Sequence, residues 1–287
     1  FRDVFSSAAT FLAKTDRITI VPTAVSPYLR NPGLIGMTLA SLAELAPNRV
    51  KAVLATGQPD DLKALGVKLS RPLRTMEEAL FVVRGVLAGD FHSHEGEIFS
   101  IKERMLSFTP SPSIPLYLAG VGPKMLRLAG KNADGALLSG GCSPAYIRWG
   151  AERVKEGKSQ AGGSSQKVVI GSVIVAALSS RRVSAYDAVR RPLAFILRGA
   201  HHDRNRELAG TALNRETLAE AVSCSDWKRA EGMITDDVVR RHSVAGDELE
   251  FQDRLVEFSE AGLNDAVLLL KGSPKEHLRA LDIIARM

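Results

Sequence analysis

A chain of 287 residues with 45% hydrophobic and 24% charged residues is long enough for one large domain or two small ones, at an ordinary globular composition. Its formal charge of +6 comes from scattered basic pairs (Arg181-Arg182, Arg190-Arg191, Arg240-Arg241) with no interleaved aromatics, so a nucleic-acid partner is not expected and some pull on an anionic ligand is. No apolar run is long enough to cross a bilayer, so no membrane association is expected, and Phe1-Arg2-Asp3-Val4, with no Met and no leader pattern, reads as a chain cut into.

Taken in order, the chain alternates strand and helix. Phe1 to Thr15 reads as a helix, Arg17 to Val25 as a strand, and Asn31 to Ala46 as a helix with Pro32 near its start. Arg49 to Ala55 is a short apolar strand ending at the Thr56-Gly57 turn, and Pro72 to Leu87 is an amphipathic helix. His92 to Phe108 reads as a hairpin. Strands follow at Pro115 to Ala119, Asp134 to Ser139, Lys167 to Leu178 and Asp265 to Leu270, with helices from Pro123, Pro144 and Pro274. Arg181 to Glu250 is polar, helical and basic.

Val/Ile/Leu runs that do not alternate with polar residues indicate strands covered on both faces, hence a parallel sheet. Repeated βα units permit a doubly wound sheet or a (β/α)8 barrel. Six strands are counted where a barrel needs eight. The count alone favours the open sheet, and it also fits a barrel without its first βα unit and second strand.

Three segments carry candidate chemistry. In Val21 to Pro32, a strand end with small residues runs into a loop framed by prolines, leaving room for a flat ligand; a plain turn-rich βα loop explains the same residues. In Leu118 to Leu126, a strand runs into Gly120-Val121-Gly122 and Pro123 opens a helix, so free amides and a close backbone could face a phosphate. The third glycine of the dinucleotide fingerprint is missing. In Asp134 to Cys142, the strand ends in Ser139, Gly140 and Gly141, suited to a pocket lip. Cys142 lacks the helix start or His partner that would mark it as reactive.

Weaker candidates read as surface. Glu77 and Glu78 look like a solvated first-turn face, His201 and His202 like solvated neighbours, and His92-x-His94 has no third ligand, so no metal is expected. Cys142 and Cys224 make no disulfide framework, and a reducing cytoplasm is the default expectation.

The segments in order resemble the luciferase-like (bacterial luciferase) superfamily, above all its methylenetetrahydromethanopterin reductase branch. The matching stretches are Thr15-Asp16-Arg17-Ile18, Pro27 to Pro32, Thr38 to Leu42, Asn48-Arg49-Val50, Arg71 to Ala79, Gly122 to Gly130 and Ala133-Asp134-Gly135, closing with Val244 to Asp247 and Glu260 to Leu263. The resemblance implies a single domain over 1–287, a luciferase-like (β/α)8 barrel lacking the first βα unit and second strand, with a helical insertion at about 181–250 over the mouth. It implies coenzyme F420, or FMN as the alternative, and hydride transfer to or from a small organic substrate. A non-prolyl cis bond at Ala24-Val25 would back the ring, and Thr56 and Gly57 would line the cofactor tail. Gly120, Val121 and Gly122 would hold its phosphate, with Ser139 and Gly140 at the lip.

The family's catalytic carboxylate or His lies on first strands that this chain does not contain, so no catalytic residue is assigned. The loop after Ala55 departs from the family in carrying Pro59, Asp60 and Asp61, and Cys142 stands where the sugar-phosphate dehydrogenase branch has Lys. A homodimer is expected from the family. The alternatives are an FMN monooxygenase served by a flavin reductase and oxygen, and an inactive cofactor-binding paralogue.

Overall fold

A computed structural model describes residues 2–89, 92–108, 114–162 and 167–287. The chain divides into two compact units, one made of 1–136 and 154–168 and the other of 137–153 and 169–287.

In the first unit, helix α1 (Val4–Lys14) opens on Asp3, whose carboxylate accepts the Ser6 amide at 2.7 Å. Strand β1 (Thr23–Val25) pairs in parallel with β2 (Ala52–Leu54), and β2 with β5 (Leu116–Ala119). The expected strand from Arg17 is shorter than its sequence pattern. Pro22 has no amide to donate, and upstream only Ile20 bridges to Val50.

Helix α2 (Pro32–Leu45) starts where Asn31 caps Gly33 and Pro32 fills the first turn. The short helix α3 (Pro59–Ala64) and the amphipathic α4 (Pro72–Leu87) follow. A Cβ at Gly36 would lie 2.9 Å from Val86, so that glycine sets the close packing of α2 on α4. The expected hairpin is present as antiparallel β3 (His92–Glu95) and β4 (Ser100–Arg104). Helix α5 (Pro123–Asn132) follows β5, and α6 (Pro144–Gln160) follows β6 (Gly135–Leu138). Within this unit α5 meets the end of α6 at glycines. A Cβ on Gly157 would stand 1.9 Å from the Arg127 carbonyl, and one on Gly130 2.0 Å from that of Val154.

The second unit is built on β7 (Val169–Leu178), a long apolar strand. It pairs in parallel with β8 (Val244–Gly246) and, from Gly171↔Asp265 to Ala177↔Lys271, with β9 (Asp265–Lys271). Helices α7 (Arg182–Leu197), α8 (Asp203–Ala209), α9 (Arg215–Ser223), α10 (Trp227–Met233) and α11 (Asp236–His242) come between β7 and β8, and α12 (Glu248–Glu260) precedes β9. The helix from Pro274 is α13 (Pro274–Ile284), opened by a capping box of Ser273 and Glu276. Tyr186, Val189, Leu193 and Leu197 of α7 pack with Val175, Ala177 and Ala245 around the core of this unit.

Two expectations are corrected here. The helical segment 181–250 also contains a strand, β8, too short at three residues to show a pattern of its own. The last strand is not covered on both faces, since Val267 and Leu269 are 45% and 38% exposed. Among the described residues, no helix is long and apolar enough to cross a membrane.

Candidate active site

In the first unit the carboxyl ends of β1, β2 and β5 carry most of the expected residues. The β1 and β2 ends are tied directly: Ala55 N–H donates to the Val25 carbonyl at 3.0 Å, and the Ser26 hydroxyl donates to the Thr56 carbonyl at 2.8 Å. Ser26 is buried and also accepts the Tyr28 amide, so it fixes the turn that follows β1. Ser26 lies inside the Val21 to Pro32 segment, where nothing in the local pattern marks this role, because its partner Thr56 is 30 residues away. Gly57 has φ +91°, a conformation that L side chains rarely adopt, which explains the glycine in that turn.

The cis peptide is present, one bond earlier than expected. It joins Thr23 to Ala24 and not Ala24 to Val25. The ladder accounts for the miscount: Thr23 pairs with Val53 and Val25 with Leu54, so two steps of β1 match one of β2. Ala24 sits within that irregularity with its surface exposed, while Val25 turns into the core.

At the end of β5, Gly120 and Gly122 differ in purpose. A Cβ on Gly120 would come within 2.5 Å of Met125, so Gly120 is needed for packing. A Cβ on Gly122 would meet nothing within 4 Å. Gly122 is the cap residue of α5, no side chain caps that end, and Pro123 occupies the first turn. Pro123 has no amide and the Leu126 amide bonds the Gly122 carbonyl at 3.1 Å, so the amides this ten-residue helix start offers an anion are those of Lys124 and Met125.

Asp134, in the expected Asp134-Gly135 motif, serves the fold. Its carboxylate accepts the Leu116 amide at 2.8 Å and pairs with Arg84 at 2.8 Å. Glu78 is another correction. It is fully buried and not a solvated helix face, because the hairpin loop folds over it: Glu97, Ile98 and Phe99 each donate an amide at 3.0 Å. Burial alone would raise its pKa, but these amides and Arg74 hold it down at about 2.

In the second unit, Ser139, Gly140 and Gly141 follow β6. Gly141 has φ +65°. Its carbonyl accepts the Asn205 amide group at 2.8 Å and the His242 ring nitrogen Nδ1 at 2.9 Å. The other nitrogen of His242 lies 2.6 Å from the Thr211 hydroxyl, which makes the ring neutral with its proton on Nδ1. Asn205 accepts the Ser143 amide at 2.9 Å, so one buried side chain grips both ends of the turn after β6.

Ser139 places its hydroxyl 3.3 Å from His202 Nε2. The expectation of two solvated histidines therefore fails for His202, which is 2% exposed, and holds for His201, which is exposed. The two follow each other on a short 3-10 turn, Ala200–His202, with their ring centroids 4.4 Å apart. Burial, then the nearby His201, lowers His202 to about 3, and burial together with neighbouring arginines lowers His242 to about 4. The signal for His202, Asn205 and His242 was absent from the sequence, because their partners lie 62 to 101 residues away. Cys142 is buried, donates to the Ser139 carbonyl at 3.0 Å and is pushed up to about 12, so its thiol is not a nucleophile at neutral pH.

Comparison with known proteins agrees with this architecture. The family model of luciferase-like monooxygenases matches residues 1–265. The 5,10-methylenetetrahydromethanopterin reductase of Archaeoglobus fulgidus is 28% identical over 277 residues, 95% of this chain and 82% of that protein. The solved coenzyme F420-dependent tetrahydromethanopterin reductase from Methanopyrus kandleri superposes with a TM-score of 0.88 at 21% identity, over 99% of this chain and 86% of that one. Monooxygenase RslO1 from Streptomyces bottropensis does so with a TM-score of 0.70 at 18% identity, over 99% and 81%. These likenesses establish the α/β fold of the luciferase-like TIM barrels. The chain belongs to the luciferase-like monooxygenase family and is an enzyme of its oxidoreductase class.

Proposed function

We propose that this enzyme uses coenzyme F420 to transfer a hydride to or from a small organic substrate, in the manner of the methylenetetrahydromethanopterin reductases it is similar to. The observation that carries the reading is the open, uncapped start of α5 at Gly122. A cofactor phosphate needs amide donors, room for its oxygens and no competing side chain, and this helix start has those properties. Thr56 and Gly57, on a turn that Ser26 fixes, are assigned to the cofactor tail, and Ala24, Val25, Gly120 and Val121 to its remaining contacts in the first unit. In the second unit the reading assigns Ser139 and Gly140 to a cofactor-facing lip.

When bound, the deazaflavin supplies two-electron hydride chemistry. The protein's own groups would hold and orient it: amides at the α5 start would take the phosphate, and the Ser26 bond keeps the β1 and β2 ends together. In the second unit, neutral His202 holds the Ser139 hydroxyl in one orientation. Methylenetetrahydromethanopterin is the proposed substrate class, and a homodimer the proposed assembly. The family model and the RslO1 likeness favour an FMN monooxygenase as the second reading, with a flavin reductase as partner.

The two readings part in a titration. Purified protein mixed with F420 and, separately, with FMN should quench F420 fluorescence saturably and leave FMN unchanged. The reverse pattern selects the monooxygenase, and binding of neither chromophore sinks the assignment.

A further inference from the structure

We propose that the homodimer proposed above, on which this inference rests, forms when β9 of one copy pairs antiparallel with β9 of a second copy. Among the described residues β9 has one partner strand, β7, which holds one edge from Gly171↔Asp265 to Ala177↔Lys271 without a register shift. The other edge carries no strand among those residues. Folds commonly guard such an edge with a proline, a bulge, a charge or a very short strand. Here seven residues run in register, and from Ala266 to Leu270 all are apolar, with Ala266, Val267 and Leu269 exposed. Such a strand is a template for main-chain pairing.

The ladder fixes which backbone groups face outward. On β7, the Val173 carbonyl accepts the Gly141 amide at one edge, and the Ile170 carbonyl accepts the Asn264 amide, next to β9, at the other. Alternate residues of a strand face opposite edges, so the even-numbered residues of β7 face β9. In a parallel ladder each of these bonds the two residues flanking its counterpart. Ser172, whose counterpart is Ala266, therefore bonds Asp265 and Val267. By the same alternation Asp265, Val267, Leu269 and Lys271 are committed to β7. Ala266, Leu268 and Leu270 turn their N–H and C=O groups to the open edge.

Symmetry and charge select a second copy as the occupant. About a two-fold axis at Leu268 the outward residues match one another: Leu268 meets Leu268 and Ala266 meets Leu270, as hydrogen-bonded pairs. Between them Val267 stands against Leu269, and at both ends Asp265 stands against Lys271. These are non-hydrogen-bonded pairs, in which cross-strand side chains come closest. In-register parallel pairing would oppose Asp265 to Asp265 and Lys271 to Lys271. The antiparallel arrangement satisfies backbone, apolar side chains and charges in one register, and the sheet of β7 and β9 runs on into the second copy.

Sedimentation velocity of the full chain, from the low micromolar to the hundred-micromolar range, tests this. Reversible doubling of the mass is expected, with exchange of the Ala266, Leu268 and Leu270 amides slowed at least about tenfold in the dimer. Ala266→Pro removes an outward amide and leaves the β7 ladder intact, so it should hold the chain at monomer mass. Val267→Lys, on an exposed position, should do the same and serves if the proline variant does not fold. Lys271→Glu should weaken association about tenfold, less at high salt, because it sets a carboxylate against Asp265. Leu249→Ser, on an exposed position of α12, should leave the dimer unchanged. A monomer at every concentration overturns both the interface and the homodimer. A dimer that Ala266→Pro and Val267→Lys leave intact overturns the interface alone. Slow exchange of the three amides at every concentration does so too, since another segment then covers the edge. F420 titration of the same variants reads the cofactor assignment separately.

Discussion

The two units solve the same problem, holding a loop at a strand end, with opposite electrostatics. The first uses carboxylates that accept backbone amides: Glu78 under the hairpin and Asp134 at the start of β5. The second uses neutral imidazoles, His242 on the Gly141 carbonyl and His202 on Ser139. Charge-assisted bonds to three amides favour the Glu78 anion and depress its pKa, whereas a buried ring with a carbonyl and a hydroxyl as partners must stay uncharged. Acid should therefore loosen the second unit long before the first.

That difference sets the largest expected effect. Free histidine titrates near 6.5, while His202 and His242 are lowered to about 3 and about 4, so the unfolded state binds more protons than the folded one below roughly pH 6.5. Stability of the second unit should fall with acidification by about 1.4 kcal/mol per pH unit for each imidazole, reaching about 4 kcal/mol at pH 5. Glu78 contributes stability that is present above its unfolded value of 4.5 and is lost as pH falls toward 2. Hydrogen exchange at pH 7 and pH 5 should show faster opening around 139–143 and unchanged protection at 97–99. Equal acid sensitivity at both places breaks the comparison.

Next in size is Gly157→Ala. Its new Cβ would lie 1.9 Å from the Arg127 carbonyl, an obstacle of backbone that cannot swing aside. A loss of about 3 kcal/mol is expected, read as a drop in denaturant midpoint with α5 exposed first. Glu78→Gln should cost about 2 kcal/mol, since the amide keeps an acceptor oxygen but loses the charge that serves three donors. It should also remove the acid dependence of hairpin protection between pH 4.5 and 2, the same window in which wild-type Glu78 titrates. The smallest effect concerns the thiols. In native protein, iodoacetamide should label exposed Cys224 and spare buried Cys142, and Cys142→Ala should change the stability of the folded protein by less than either substitution above.

Much of the fold was legible because punctuation and pattern agreed. Pro32, Pro72, Pro123, Pro144 and Pro274 each open the helix expected there, and all six anticipated strands form. What escaped was set by distance in the chain. The strand Val244–Gly246 has three residues and draws its register from β7, nearly seventy positions earlier. Glu78, in the second turn of α4, looks like any solvated helix acid until the hairpin folds over it, and His202 like half of a polar pair until Ser139 arrives. The sequence pattern treats Gly120 and Gly122 as equivalents, and the structure separates them. Gly120 answers to Met125 and only Gly122 opens onto space.

The proposed cofactor site therefore stands on Gly122. Its φ of −90° and ψ of 153° accept any L residue, and a Cβ there meets no atom within 4 Å, so Gly122→Val should leave the melting temperature unchanged. The same substitution puts a branched side chain where the phosphate is proposed to lie. Fluorescence titration with F420 should show binding weakened by at least about a hundredfold, roughly the 2.7 kcal/mol of two lost charge-assisted contacts. Wild-type affinity in a folded Gly122→Val protein would contradict the cofactor site.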